Sequence, residues 1–363
     1  MNSATQVDKQ PSRAEPEQRS EAELQVRRRN EKRFDLVLEG GGVKGIGLVG
    51  ALAALEERGF QSQRVAGSSA GAIVAALHAA GYTAEEMRDI VLAMDLEVFL
   101  DGGWLSRLPF IGPWLSVVVS HGIHRGERLH RWLREHLAAK GITTFADLGG
   151  GTDCRLQIIV SDVSERELLV LPRDAHKLGV SPEALEVAKV VRMSSAIPLF
   201  FRPVRLKNPR TKRHQTLVDG GLLSNFPVWL FDTRGEPRWP TFGLMLTEDE
   251  PDVPISSRIG RESDRFGLIG YLKSLVRTML EAHDRRYLRS ATFARTIAIP
   301  TLGVHTLEFE LSKRKKELLY ESGREAAEIF LATWDFHAYI KEFRSGRPYS
   351  RRVEVVNAMN KAA

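Results

Sequence analysis

The chain has 363 residues, of which 43% are hydrophobic and 27% charged, so it is long enough to bury a sizeable core as one large α/β domain or two modest ones. Its one cysteine, Cys154, excludes an intrachain disulfide and a cysteine-built metal site. The net charge of +6 allows attraction to anionic surfaces such as phospholipid headgroups. Nucleic acid is disfavoured as a partner, because the chain shows no zinc-finger spacing, no aromatic RNA-binding motif and no long basic helix.

Composition divides the chain into four parts. We expect residues 1–32, rich in Glu, Arg, Gln, Ser and Pro, to form a disordered polar leader. Residues 33–250 read as the main α/β domain, 251–345 as a helical extension that packs on it, and 346–363 as a basic tail. The sequence shows neither a secretory signal nor an apolar run long enough for a membrane span, so we expect a cytoplasmic protein.

Two strand–helix pairs open the main domain. Phe34–Leu38 predicts a strand and Ile46–Arg58 a helix, with a second strand over Gln63–Ala66 and a small-residue helix over Ala70–Ala80. This order predicts a parallel sheet with a right-handed crossover. Ligands of such sheets bind at the carboxyl ends of the strands, where both glycine-rich loops of the chain lie.

The remaining predicted elements are both helices and strands. We predict helices over residues 83–94, 126–140, 181–193, 266–289 and 313–334, and strands over 155–160, 167–172, 215–218, 241–246 and 296–299. The pattern is interrupted at Trp104–Val119, where aromatic and aliphatic residues are broken by Gly and Pro. This segment is either an insertion packed on the core or a lid that meets a lipid surface.

A G-x-S-x-G frame places Ser69 between Gly67 and Gly71, at the turn from the second strand into the following helix. Such an elbow exposes a serine hydroxyl above the sheet, at a helix N-terminus. The glycines allow a tight turn and leave room for a substrate. A tight turn with a helix-capping serine explains the same residues, so the frame does not by itself establish a nucleophile.

The first glycine-rich loop reads Gly40-Gly41-Gly42-Val43-Lys44-Gly45, between a strand and a helix. It fits a dinucleotide-binding fingerprint, but the acidic residue that would close the second strand is missing. A Walker-type phosphate loop also fails, because neither Ser nor Thr follows Lys44. The loop is therefore expected to present backbone N–H groups to an oxyanion.

A serine nucleophile needs a base, and none of the ten histidines stands in a suggestive context. Asp219 ends a predicted strand and precedes Gly220 and Gly221, which places its carboxylate at the same end of the sheet as Ser69. Held in a water-poor cleft against a hydroxyl, a carboxylate can act as a general base. A turn aspartate before Gly-Gly is the alternative for Asp219.

Together the glycine loop, the G-x-S-x-G elbow and the later Asp-Gly-Gly resemble the patatin-like phospholipases. The block Ser194-Ser195-Ala196-Ile197-Pro198 resembles that family as well. At the position of Lys44 the family more often has Arg, so this residue departs from the family pattern but keeps the positive charge. The resemblance covers about residues 34–246. It implies a three-layer α/β/α sandwich with a mainly parallel sheet, Gly40 to Gly45 as the oxyanion-hole loop, and Ser69 and Asp219 as a catalytic dyad.

The implied function is a phospholipase A-type lipid acyl hydrolase that needs neither a metal nor a cofactor. Its expected substrate is a phospholipid or another acyl lipid, with Trp104–Val119 as a contact for the membrane surface. Two alternatives stay open: a serine esterase or thioesterase acting on small soluble acyl groups, and a lipid-binding protein without enzymatic activity. Nothing in the sequence fixes the headgroup, the acyl position or the oligomeric state.

Overall fold

The computed structural model describes residues 32–102, 121–151, 154–233, 235–247 and 290–344. Four predictions from the sequence lie wholly or almost wholly outside these ranges: the polar leader, the aromatic segment Trp104–Val119, the helix at 266–289 and the basic tail. Within the described ranges, no helix has both the length and the apolar character that crossing a bilayer requires.

The described part of the chain contains both strands and helices. The strands are β1 (Arg33–Leu38), β2 (Gln61–Gly67), β3 (Gly122–His124), β4 (Leu156–Asp162), β5 (Glu167–Leu171), β6 (Leu199–Phe201), β7 (Val204–Lys207), β8 (His214–Asp219), β9 (Thr241–Thr247) and β10 (Thr296–Pro300). The helices are α1 (Ile46–Glu57), α2 (Ala70–Ala79), α3 (Ala84–Ala93), α4 (Glu127–Ala139), α5 (Val187–Ser194), α6 (Ser290–Phe293), α7 (Lys313–Thr333) and α8 (Phe336–Phe343). Short 3₁₀ helices span Gly42–Gly45, Gly220–Leu222 and Val228–Phe231.

The central sheet is mainly parallel, as the sequence predicted. In the described part of the chain its strands run in the order β10-β9-β1-β2-β4-β8-β7, and β5 pairs with β4. The five strands from β10 to β4 are mutually parallel, whereas β5, β7 and β8 pair antiparallel with their neighbours. β3 and β6 form a separate parallel pair.

Hydrophobic side chains cover both faces of this sheet. The larger cluster packs α1, α2, α3 and α7 against one face, and ten of the twelve residues of α1 are buried there. On the opposite face, Val37, Ala66 and Ile159 meet the apolar side chains of the 3₁₀ helix Val228–Phe231. Burial on both faces explains why β1 and β4 contain unbroken apolar runs, Leu36–Leu38 and Ile158–Val160, instead of alternating with polar residues.

The C-terminal part of the chain is built into this sheet. β10 pairs in parallel with β9, and α7 crosses α1 at close range. Glycines permit the crossing: a Cβ at Gly323 would overlap the carbonyl oxygen of Gly47, and one at Gly50 would overlap that of Tyr320. Residues 290–344 therefore extend the same core that positions the glycine loop and the Ser69 elbow.

The helix predicted at residues 181–193 begins later, at Val187. The preceding residues instead contact the segment around Phe145. The carbonyl of Leu185 accepts from Phe145 N–H, and that of Glu183 accepts from Ala146 N–H. The backbones of Glu186 and Thr144 form an isolated antiparallel β-bridge. Ser181 still caps a turn, since its Oγ accepts from Ala184 N–H at 3.3 Å. A tertiary contact thus replaces the first turns of the predicted helix.

Candidate active site

Ser69 lies on a sharp turn between β2 and α2. Its backbone has φ +50° and ψ −122°, a conformation that side-chain-bearing residues rarely adopt and that is concentrated at functional sites. Gly71 makes this turn possible, because a Cβ there would overlap the carbonyl oxygens of Leu38 and Glu39. The Ser69 side chain makes no capping bond to α2, so its hydroxyl is not used as a helix cap.

The hydroxyl of Ser69 is directed at Asp219 instead. Ser69 Oγ donates to Asp219 Oδ2 at 2.6 Å, and both residues are buried. The other carboxylate oxygen, Oδ1, accepts from Gly221 N–H at 2.8 Å. Each carboxylate oxygen therefore has a donor, and the pair is held in one geometry 150 residues apart in sequence.

The strand ends bring these two residues together in a way the sequence did not predict. β8 is antiparallel to β4, so the carboxyl ends of β2 and β8 point in opposite directions. Both strands pair with the same edge of β4, since β5 occupies the other edge: Gly67 is the partner of Ile158, and Asp219 is the partner of Val160. The carboxyl ends of β2 and β8 thus face each other along one edge of β4, and Ser69 and Asp219 lie where they meet.

Burial sets the acid–base character of Asp219. The side chain is fully enclosed, and loss of solvent raises its pKa from the ordinary 3.8 to about 7, although the hydrogen bonds from Ser69 and Gly221 lower it. A carboxylate with a pKa near neutrality accepts a proton far more readily than an exposed one. The pair therefore combines a hydroxyl with an adjacent carboxyl group whose pKa lies near neutrality.

Two further serines hold the turn. Ser194 Oγ accepts from Ser69 N–H at 3.0 Å and donates to the carbonyl of Ile159 at 2.7 Å. Ser195 Oγ lies 3.3 Å from the carbonyl of Ser69 and 3.0 Å from that of Val191. The end of α5 thus provides the acceptor for Ser69 N–H and contacts the Ser69 carbonyl, which also accepts from Ala72 N–H at 3.0 Å. The sequence marked this block only through its resemblance to a family.

The glycine loop lies directly against the elbow. A Cβ at Gly40 would stand 2.9 Å from Ser69 Cβ, and one at Gly45 would stand 3.2 Å from Ala70 Cβ. Within the loop, the N–H groups of three residues already have acceptors: Gly40 bonds to Asn225 O, Val43 to Thr306 O and Lys44 to Gly41 O. Lys44 is buried in the 3₁₀ helix that follows the first glycines.

The structure thus brings together the three predicted motifs: the loop Gly40–Gly45, the elbow Gly67–Gly71, and Asp219 with Gly220 and Gly221. It adds Asn225 and Thr306, which contact the loop and were not identified from the sequence as site residues. Asn225, six residues after Asp219, carried a weak signal as a polar residue near the motif. Thr306 carried none, because its contact with Val43 joins distant parts of the chain. Among the described residues, no group of three His, Cys, Asp or Glu side chains is arranged to hold a metal ion.

With this geometry established, comparisons with known proteins identify the class. The sequence model of the patatin-like phospholipases matches residues 36–232. The Bacillus subtilis protein YqhO is 40% identical over 304 residues, which are 84% of this chain and 99% of that protein. The chain belongs to the patatin-like phospholipase family, and the resemblance stated from its motifs is confirmed.

Two other proteins are similar at greater distance. Probable lipid hydrolase 463L of Invertebrate iridescent virus 6 is 25% identical over 198 residues, 53% of this chain and 61% of that protein. The crystal structure of VipD from Legionella pneumophila matches with a TM-score of 0.51 at 18% identity, over 83% of this chain and 67% of that chain. The second likeness concerns the fold alone. Family membership supports a hydrolase that acts on esters of lipids.

Proposed function

We propose that this protein is a phospholipase A-type lipid acyl hydrolase that works through a Ser69–Asp219 dyad and an acyl-enzyme. The observation that carries the proposal is the 2.6 Å hydrogen bond from Ser69 Oγ to Asp219 Oδ2, on a strained turn at a helix N-terminus. Family membership supports the lipid substrate. An alcohol paired in this way with a buried base has what acyl transfer requires of a nucleophile.

In the first step, Asp219 accepts the proton of Ser69 as the oxygen attacks the ester carbonyl of the lipid. The carbonyl oxygen becomes an oxyanion, and we assign its stabilisation to the N–H groups of Gly41 and Gly42. Those of Gly40, Val43 and Lys44 are already bonded, and Gly45 is the last residue of the 3₁₀ helix. The tetrahedral intermediate then collapses. The ester oxygen leaves with the proton from Asp219, and the acyl group stays on Ser69.

In the second step, a water molecule replaces the leaving alcohol. Asp219 takes a proton from the water as its oxygen attacks the acyl-enzyme, and the same donors hold the second oxyanion. When this intermediate collapses, Ser69 Oγ recovers the proton and the fatty acid is released. One base thus serves both half-reactions, provided that Asp219 is ionised when each begins.

The test is product analysis on mixed phospholipid vesicles. We expect the protein to release fatty acid and lysophospholipid, and Ser69→Ala to remove the release almost completely. Ser322→Ala serves as the matched control, because its Oγ donates to Pro300 O away from the dyad. Activity retained by Ser69→Ala would contradict the proposal.

The same experiment separates the two alternatives. Rapid hydrolysis of short soluble esters or thioesters, with no release of fatty acid from the vesicles, would favour a small-molecule esterase or thioesterase that uses the same dyad. Vesicle binding without hydrolysis of any ester would favour a lipid-binding protein. Contact of Trp104–Val119 with the lipid surface stays a prediction, since the segment lies outside the described residues. Polar replacements of Phe110 and Trp114 should weaken vesicle binding more than hydrolysis of a soluble ester.

A further inference from the structure

Asn225 holds both polar backbone groups of Gly40, the first residue of the glycine loop. Its backbone carbonyl accepts from Gly40 N–H at 3.1 Å, and its side-chain Nδ2 donates to Gly40 O at 3.0 Å. The same Nδ2 group donates to Glu39 Oε1 at 3.2 Å. The second oxygen of Glu39 accepts from Leu246 N–H, which ties the assembly to β9.

The bond to Gly40 O has a consequence for the next N–H group. The Gly40 carbonyl and the Gly41 N–H belong to one peptide unit, which is planar and trans, so the two groups point in opposite directions. Holding the carbonyl towards Asn225 therefore directs the Gly41 N–H away from it. A peptide between two glycines rotates with little steric resistance, so this direction needs an external restraint.

Packing places the restrained peptide next to the nucleophile. Gly40 is buried between Asn225 and Ser69: a Cβ on it would overlap Asn225 Oδ1 and stand 2.9 Å from Ser69 Cβ. A small rotation of this peptide would thus move the Gly41 N–H relative to the position where the oxyanion forms. A misplaced donor at this position would lower the reaction rate, because only donors that already point at the developing charge stabilise it without reorganisation.

We propose that Asn225 is a positioning residue that fixes the Gly40–Gly41 peptide so that the Gly41 N–H faces the oxyanion formed on the Ser69 substrate. The inference rests on the proposed function and deepens it. Asn225 itself touches neither substrate nor reacting atoms in this assignment. It acts through the orientation of one N–H donor, so its effect belongs to the transition state and not to substrate binding.

The test compares Asn225→Ala with the wild type on a soluble ester. The substitution removes the Nδ2 donor but keeps the backbone bond from Gly40 N–H, so the loop retains one of its two attachments. We expect kcat to fall by at least about tenfold while KM changes by less than about threefold. Affinity for an alkylboronic acid, which forms a tetrahedral adduct with the serine, should fall by the same factor as kcat. Asn225→Asp, similar in shape but without the donor, should lose at least as much activity.

Asn208→Ala is the matched control for structural damage. Asn208 is a buried asparagine whose Nδ2 donates to Lys177 O and Gln215 Oε1, and the glycine loop makes neither contact. We expect it to lower the thermal midpoint at least as much as Asn225→Ala while leaving kcat and boronate affinity unchanged. Equal losses of kcat in the two variants would overturn the inference.

Two further results separate this inference from the proposed function. An active wild type together with a fully active Asn225→Ala overturns the positioning role alone, as does a fall in kcat without a matching fall in boronate affinity. A wild type without Ser69-dependent ester hydrolysis overturns the proposed function, and the positioning role with it.

Discussion

Replacing Asp219 by asparagine tests the base through activity and stability together. Asparagine keeps an oxygen for Gly221 N–H and can donate to Ser69 Oγ, so the shape of the site is retained while the charge is lost. We expect hydrolysis to fall by at least about 100-fold, the lower end of what a general base contributes. Asp162→Asn, which changes another fully buried carboxyl group whose hydrogen bonds go to Ser164, Glu165 and Gln215 and not to the dyad, should stay active.

The stability effect follows from the pKa of Asp219. The folded protein holds a proton on this group up to about pH 7, whereas the unfolded chain releases it near 3.8. Between these values the folded state binds more protons, so its free energy of unfolding falls as pH rises. A difference of roughly three pKa units corresponds to about 4 kcal/mol, lost progressively between about pH 4 and pH 7.

The Asp219→Asn variant escapes this loss, because an asparagine side chain does not ionise. The unfolding free energy of Asp219→Asn minus that of the wild type should therefore grow by about 2 to 3 kcal/mol between about pH 5 and pH 8. Urea unfolding followed by circular dichroism at the two pH values measures it. A difference that is the same at both would refute the reasoning, because it would mean that Asp219 ionises in the folded protein without a desolvation cost.

Three further outcomes are expected. The kcat/KM for a soluble ester should rise with pH through an apparent pKa near 7 and then level off, as Asp219 must be ionised to act; a profile flat from about pH 5 to pH 9 would contradict its role as base. Ser69→Gly and Ser69→Ala should both be inactive, but the glycine variant should be more stable by about 1 kcal/mol because it relieves the positive φ, and equal urea midpoints would argue against strain. Gly323→Ala should lower the unfolding free energy by at least about 2 kcal/mol through overlap with Gly47 O, whereas Ile329→Ala, 65% exposed on the same helix, should change it by less than about 0.5 kcal/mol.

Local chemistry made much of the fold predictable from the sequence. The helix predicted over residues 83–94 is present, and a local capping box starts it through two hydrogen bonds between Thr83 and Glu86. The Ser69 elbow was predictable because glycines are needed on both sides of such a turn. In contrast, the helix expected at residue 181 begins at Val187, since contacts with the Phe145 segment compete with its first turns. A local sequence pattern carries no information about such competing tertiary contacts.

The site itself was predicted in part through an incorrect route. Asp219 was assigned to the same end of the sheet as Ser69 on the expectation of parallel strands, but β8 is antiparallel and reaches Ser69 head-on along the edge of β4. Strand direction is set by pairing between distant segments, which no single stretch of sequence encodes. Asn225 and Thr306 were not predicted as site residues for the same reason, because their contacts with the glycine loop depend on how the sheet is assembled.

The most direct test of the Ser69–Asp219 dyad is covalent labelling with a fluorophosphonate followed by peptide mass spectrometry. Such a reagent reacts with a serine whose proton can be removed and whose oxyanion is stabilised. We expect a single adduct on Ser69 in the wild type, none at that position in Ser69→Ala, and much slower labelling in Asp219→Asn. No adduct on Ser69, or labelling of Ser69 at an unchanged rate in Asp219→Asn, would contradict the dyad.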